Sequence, residues 1–226
     1  MALQRFVGPM VVAGALLLAG CASKVPDANE YSGFLGNYSN LQPSTSASGA
    51  PILRWVSPSF NPKNYSALVY EPVVYYPEAH PSSQVGQRVL DGVLSYTNNK
   101  LKTAAEQRMR LVSKPGPGVL IFRGAITAVN TSDQDLKPRE LIPFALVVAG
   151  ARAATGMRPK DTNLFFEGEL LDGVTRQSLV KIVRKGTGIQ VTNAEQQVTA
   201  DDLRTVIDQL GADAVMFDAR AQPKPK

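Results

Sequence analysis

The first twenty residues, MALQRFVGPMVVAGALLLAG, constrain this chain more than any other segment. Arg5 supplies a short positive start, and Gly14 alone interrupts the most apolar stretch, 11–19. The apolar run over 6–19 is too short to cross a bilayer, which takes about 20 residues of helix. The pattern is that of a secretory signal segment that is removed, so the folded body is built from the residues after it. An uncleaved anchor helix fits the length and flanks less well.

The four residues that close this segment, Leu18-Ala19-Gly20-Cys21, resemble the bacterial lipobox, in which the Cys thiol takes diacylglycerol and the chain is cut just before it. Ala19 and Gly20 leave the backbone open to a peptidase, and Cys21 carries the only thiol in the chain. The resemblance implies lipidation at Cys21 with three acyl chains of the palmitate type. One acyl chain binds a membrane marginally, at about 0.8 kcal/mol per buried CH₂, and several make a durable anchor. Ala22, where an Asp would favour retention, resembles the outer-membrane sorting pattern, so the implied address is the outer membrane, lipid-anchored and facing the periplasm. Removal of 20 residues from 226 leaves 206, and the loss of Arg5 lowers the formal charge from +5 to +4.

The remaining composition restricts the chemistry. One Cys excludes an internal disulfide framework, and Cys21 with His80 makes too small a set for a structural zinc site. No metal, cofactor or catalytic residue is expected. His80 lies in a proline-bounded loop with neither nucleophile nor orienting acid beside it. Glycine pairs at Gly116/Gly118 and Gly186/Gly188 do not extend to a dinucleotide or phosphate-loop pattern, and Asp133 with Asp135 lacks the glycine and terminal Glu of a calcium loop. Export and the absence of a groove-reading motif argue against nucleic acid.

Along the chain, 21–51 reads as a lipidated tether followed by a Ser/Pro/Gly-rich linker. Within it, aromatic residues in 31–41 pack back on the body, and 43–51 is flexible. The globular domain is expected over 52–221, ahead of a disordered tail at 222–226. A buried strand spans 66–76, with Pro72 at an edge or bulge. Val89, Leu90, Val93, Leu94, Thr97, Leu101 and Ala105 form the stripe of an amphipathic helix of about six turns. After Pro115-Gly116-Pro117-Gly118, a second strand runs over 119–129. The segments 163–171 and 178–185 form an antiparallel hairpin, with Glu167 or Glu169 across from Lys181. Residues 186–198 read as a loop. Thr199 through Asp202 then start a second helix, whose apolar face is Leu203, Val206, Ile207, Leu210, Ala214 and Phe217 and which Gly211 weakens. The expected class is α/β with α+β character: one domain, a mixed and mostly antiparallel sheet, and two amphipathic helices packed on it.

Several patterns together resemble a bacterial lipoprotein family known as domain of unknown function 3313. They are Ser32-Gly33-Phe34-Leu35 with Tyr38-Ser39-Asn40-Leu41, the strand over 65–73, Pro117-Gly118 ahead of Arg123-Gly124-Ala125-Ile126-Thr127, and Glu167-Gly168-Glu169-Leu170-Leu171-Asp172-Gly173-Val174-Thr175. The resemblance implies class and location and no activity. Where the family pattern has Asp-x-x-Thr-Gly in the hairpin turn, this chain places Arg176 after Thr175.

Three features are candidate sites. Lys100, Lys102 and Arg108, with Arg110 and Lys114, form a basic run that would meet anionic lipid or glycan groups, against the plainer reading of a solvated helix face. Trp55 is a sugar-stacking candidate or a core residue. The apolar run 141–154, from Leu141 to Ala154, suits core packing or else contact with an envelope protein or a second copy. The expected role is a structural or interaction protein of the envelope. The alternative is a periplasmic glycan- or lipid-binding module.

Overall fold

The computed structural model describes residues 25–81, 86–131, 160–191 and 198–217. The signal segment, Cys21, the run 141–154 and the tail 222–226 lie outside them. Eight strands form one mixed sheet: β1 (Gln42–Thr45), β2 (Pro51–Val56), β3 (Ala67–Tyr70), β4 (Val74–Tyr75), β5 (Arg110–Leu111), β6 (Val119–Thr131), β7 (Lys160–Asp172) and β8 (Ser178–Val191). Their order is β1-β2-β8-β7-β6-β3-β5, with β4 also on β6. Pairing is antiparallel from β1 through β6, and β3, β4 and β5 join in parallel. Two helices, α1 (Gln87–Arg108) and α2 (Arg204–Val215), cover one face, which is the expected class.

The helices bury the stripes their spacing dictates. Leu90, Val93 and Leu101 of α1, and Val206, Ile207 and Leu210 of α2, meet Ile126, Val129, Leu164 and Phe166 of the sheet, and Thr97 and Ala104 of α1 are buried as well. A bulge between Ile126 and Ala128 lets residues three apart, Ile126 and Val129, both face the helices. Gly211 does not end α2. It sits where the helices cross, and a Cβ there would reach Lys100 at 3.5 Å.

Elsewhere the structure corrects the expected boundaries. The stretch 43–51 is not a free linker, because β1 occupies Gln42–Thr45 and pairs with β2. Its polar composition suits an exposed edge strand, where Pro43 costs no ladder bond. The small residues after it close a turn in which Ser46 N–H donates to Ala50 O at 2.7 Å and Gly49 takes φ +88°. The strand expected over 66–76 is divided at Pro72, which has no N–H to donate, into β3 and β4. The loop expected from 186 is instead the far end of β8. Gly186 and Gly188 are there because α2 and the residues leading into it press on the strand: a Cβ on Gly186 would collide with Val206, and one on Gly188 with the carbonyl of Asp202.

The β7–β8 hairpin places Glu169 opposite Lys181. In its turn, Asp172 accepts the N–H groups of Val174 at 2.9 Å and Thr175 at 2.8 Å and the Tyr65 hydroxyl at 2.8 Å. The Thr175 amide first, then Tyr65, hold its carboxyl well below the usual range, at about 2. A depressed carboxyl stabilises the fold above its unfolded value of about 4 and loses that contribution as pH falls toward 2. The stability gap between wild type and Asp172→Asn should therefore shrink in denaturant titrations from pH 4 to pH 2. An unchanged gap would contradict the assignment. Arg176 takes φ +57°, the left-handed region that favours glycine. Arg176→Gly should raise stability by about 1 kcal/mol in the same titrations, since a side chain there costs about 1–2 kcal/mol. A loss of stability would contradict the strain.

Candidate functional site

The second face of the sheet is sealed by the chain's own N-terminal segment. Leu35 and Leu41 are buried against Leu53 and Val183, with Val25, Tyr31, Phe34, Tyr38 and Trp55 packed around them. Glu167 is fully buried here, accepting from Tyr38 Oη at 2.6 Å and Ser32 N at 2.9 Å. Burial first, then this carboxylate, push the Tyr38 phenol up to about 12. Lys181 Nζ donates to the carbonyls of Leu35 at 3.1 Å and Asn37 at 2.9 Å, and Arg123 lies over the Phe34 ring at 4.5 Å. These charges fasten the strap to the sheet. The alternation that places Glu167 and Glu169 opposite Leu164 and Phe166 is real, yet the carboxylates point into a covered face rather than water.

The helix face opens differently. Between the sheet and the C-terminal ends of α1 and α2 lies a cleft of about 650 Å³. Ile52, Leu120, Phe122, Phe166 and Ile182 line it from the strands, and Leu101, Ala105, Met109, Leu210 and Phe217 from the helix side. The space has a local cause. Gly124 of β6 and Gly168 of β7 are direct cross-strand partners, so two neighbouring positions carry no side chain. The Phe166 ring lies across both: a Cβ on Gly124 would be 2.8 Å from its Cζ, and one on Gly168 2.9 Å from its Cε1. The ring occupies the room that both missing side chains leave, and it lines the cleft itself.

Two buried arginines on adjacent strands line the cleft, Arg54 of β2 and Arg184 of β8. Arg184 pairs with Asp213, and its Nη2 donates to Gln209 Oε1 at 2.8 Å. Burial pulls its guanidinium pKa down, against the opposing effect of Asp213. The Arg54 guanidinium stands 5.0 Å from the centre of the Phe217 ring.

The candidates named from the sequence scatter around this geometry. Arg108 lines the cleft and donates to the Phe217 carbonyl at 2.9 Å. Lys100 instead pairs with Asp208 at 2.8 Å on the outer surface, and Lys102 is exposed on α1. Trp55 belongs to the strap face, among core residues. His80 is exposed. The basic run therefore does not converge on one site. Arg54, Arg184 and the facing glycines were not singled out from sequence, because their proximity depends on strand register. Among the described residues, no group of three His, Cys, Asp or Glu side chains could hold a metal ion, and no helix is long and apolar enough to cross a membrane.

Comparison with known proteins places the chain in a family. The model of the protein family of unknown function DUF3313 matches residues 30–214, which takes in the strap as well as the sheet and helices. Uncharacterized lipoprotein YdcL of Escherichia coli strain K12 is 49% identical over 213 residues, covering 94% of this chain and 96% of the relative, and the protein of that name from strain O157:H7 matches equally. Among solved structures, the PelC dodecamer from Paraburkholderia phytofirmans aligns with 10% identity, 72% of this chain, 95% of that chain and a TM-score of 0.36. A neuraminyllactose-binding hemagglutinin homolog from Helicobacter pylori aligns with 8% identity, 71% and 83% coverage and a TM-score of 0.36. Scores of that size bear on neither fold nor function here. With a family match across most of the chain and near-complete alignment to a lipoprotein at 49% identity, the chain belongs to the DUF3313 family and is a lipoprotein of the cell envelope.

Proposed function

We propose that the protein is exported by a cleaved signal peptide, lipidated on Cys21 and held at the outer membrane facing the periplasm, where its domain binds an apolar or amphipathic small molecule without chemically altering it. The cleft carries this reading. Its volume of about 650 Å³ lies within the range of about 300–1,000 Å³ typical of small-molecule sites. At about 30 Å³ each, roughly twenty waters would fill it, and its largely apolar wall offers few polar partners to hold them.

The strap supports the same reading. Val25 already packs on the domain, four residues after Cys21, so a lipid on that sulfur lies within about 14 Å of it along an extended chain. The domain is thus kept at the membrane surface, next to a supply of hydrocarbon chains, rather than at the end of a long tether. The role expected first from the sequence, a structural or interaction protein of the envelope, would draw on the run 141–154, which lies outside the described residues.

Native mass spectrometry of the full chain, extracted gently from membranes, tests the proposal. A hydrocarbon-bearing molecule retained at about one per chain, beyond the acyl groups on Cys21, is expected. Protein that is bare in several mild extractions would overturn it.

A further inference from the structure

We infer that the strap face of the sheet lies against the bilayer, with Val74 and Tyr76, beside Phe34, seated in the lipid–water boundary. This rests on the lipid anchor proposed for Cys21 and adds the surface by which the domain meets the membrane.

The position of the anchor selects the face. Val25 packs against the cluster of Leu35, Leu41, Leu53 and Val183, and residues 22–24 alone separate it from Cys21. Four residue steps reach at most about 14 Å, so a lipid on that sulfur starts out from this side of the sheet. β4 pairs with β6 and stands three strand spacings, about 15 Å, from β8 and its Val183.

Alternation then places the side chains of β4. Val73 and Tyr75 turn to the helices, where Val73 is buried and Tyr75 Oη donates to the Leu90 carbonyl at 2.8 Å. Val74 and Tyr76 point the other way. The Tyr76 ring meets Phe34 of the strap, centres 5.6 Å apart, and continues an aromatic group in which Tyr31 stacks on Tyr38 at 4.5 Å. Even so, Val74 is 46% exposed and Tyr76 41%.

The composition of this face suits a lipid surface. Trp and Tyr join an apolar ring to a polar tip and collect at the edges of bilayers. Here lie the chain's single Trp, Trp55, and three of its seven Tyr, Tyr31, Tyr38 and Tyr76. The opposite surface differs: the exposed positions of α1, Arg88, Asp91, Lys102 and Glu106 among them, are all polar. Two exposed side chains hold a free domain weakly. A short tether, however, supplies an effective concentration of millimolar order, at which a contact of millimolar strength is about half occupied. Anchor and contact act together, and the contact alone does not retain an unlipidated chain.

The test uses the lipidated full chain, one copy per phosphatidylcholine nanodisc, with bromine on the acyl chains to quench nearby indole emission. Tyr76→Trp reports the strap face, and Thr103→Trp reports the exposed side of α1. The Trp55 signal of wild type is subtracted from both. The indole at position 76 should lose about half of its emission or more in brominated discs, and the one at position 103 almost none. Val74→Trp reads the same face where Tyr76→Trp does not fold. Loss at neither position, or equal loss at both, in protein that stays with the discs would overturn the docking surface and leave the anchor standing. Protein that leaves the discs would overturn the anchor and the docking with it. Emission at position 76 that shifts to the blue only when two copies share a disc, without bromine quenching, would give the face to a second copy and overturn the assignment.

Discussion

Cys21→Ser will remove the protein from the membrane fraction or leave it as an uncut precursor. The basis is the arrangement at the N-terminus: a short apolar segment, two small residues and then the only thiol in the chain. Serine keeps the size of the side chain and forfeits the sulfur that would carry the lipid. The described residues contain no helix able to span a membrane, so none of them offers a helical substitute for the anchor. The effect should be close to all-or-none, because several acyl chains bind far more tightly than any surface attraction available to a weakly basic body. Fractionation and intact mass report it directly. A Cys21→Ser protein that stays with the membrane at the wild-type mass would contradict the lipid anchor.

The second large effect is expected at Arg184. Its side chain is 2% exposed and joins β8 to α2 through Asp213 and Gln209. Removal of one partner of a buried ion pair leaves the other charge uncompensated and costs about 3–5 kcal/mol. Arg184→Ala should therefore lower Tm by roughly 10 °C, since each kcal/mol is worth about 2–4 °C in a domain of this size. A paired replacement, Arg184→Met with Asp213→Leu, removes both charges and keeps much of the volume, and it should recover most of the loss. Calorimetry on the two variants checks this. A paired variant as unstable as Arg184→Ala would mean that the charge pair is not what the single substitution breaks.

The fold was legible where periodicity is strong. The stripe from Val89 to Ala105 is α1, and the hairpin register with Glu169 opposite Lys181 agrees with alternation and turn position. Glycine and polar composition misled where they reflect close approach rather than freedom. Gly186 and Gly188 look like loop residues, yet they make room for Val206 and Asp202. Gln42–Thr45 looks like linker because an edge strand exposed to water needs no apolar face.

The site was barely legible for a different reason. Gly124 and Gly168 lie 44 positions apart in sequence, and only the register of β6 on β7 makes them neighbours. Nothing in the sequence pattern singles out Arg54 or Arg184. Burial beneath the helix ends, together with Asp213, gives them their character. Of Lys100, Lys102 and Arg108, the last alone reaches the cleft, because it stands at the end of α1, where the helix and the sheet diverge.

Filling the cleft is the most direct test of whether it is a ligand site. Ala105 lines it from α1 and is only partly buried, at the edge of the cluster of Leu68, Leu120 and Leu179, so Ala105→Trp adds bulk to the cleft wall. N-phenyl-1-naphthylamine, titrated into the full chain in nanodiscs against empty nanodiscs, should show saturable fluorescence with wild type and a loss of about tenfold or more in affinity with the variant. Bulk of this size removes most of the apolar contact area on which such a probe depends. Equal binding by a folded Ala105→Trp protein and wild type would place the probe elsewhere and contradict the account.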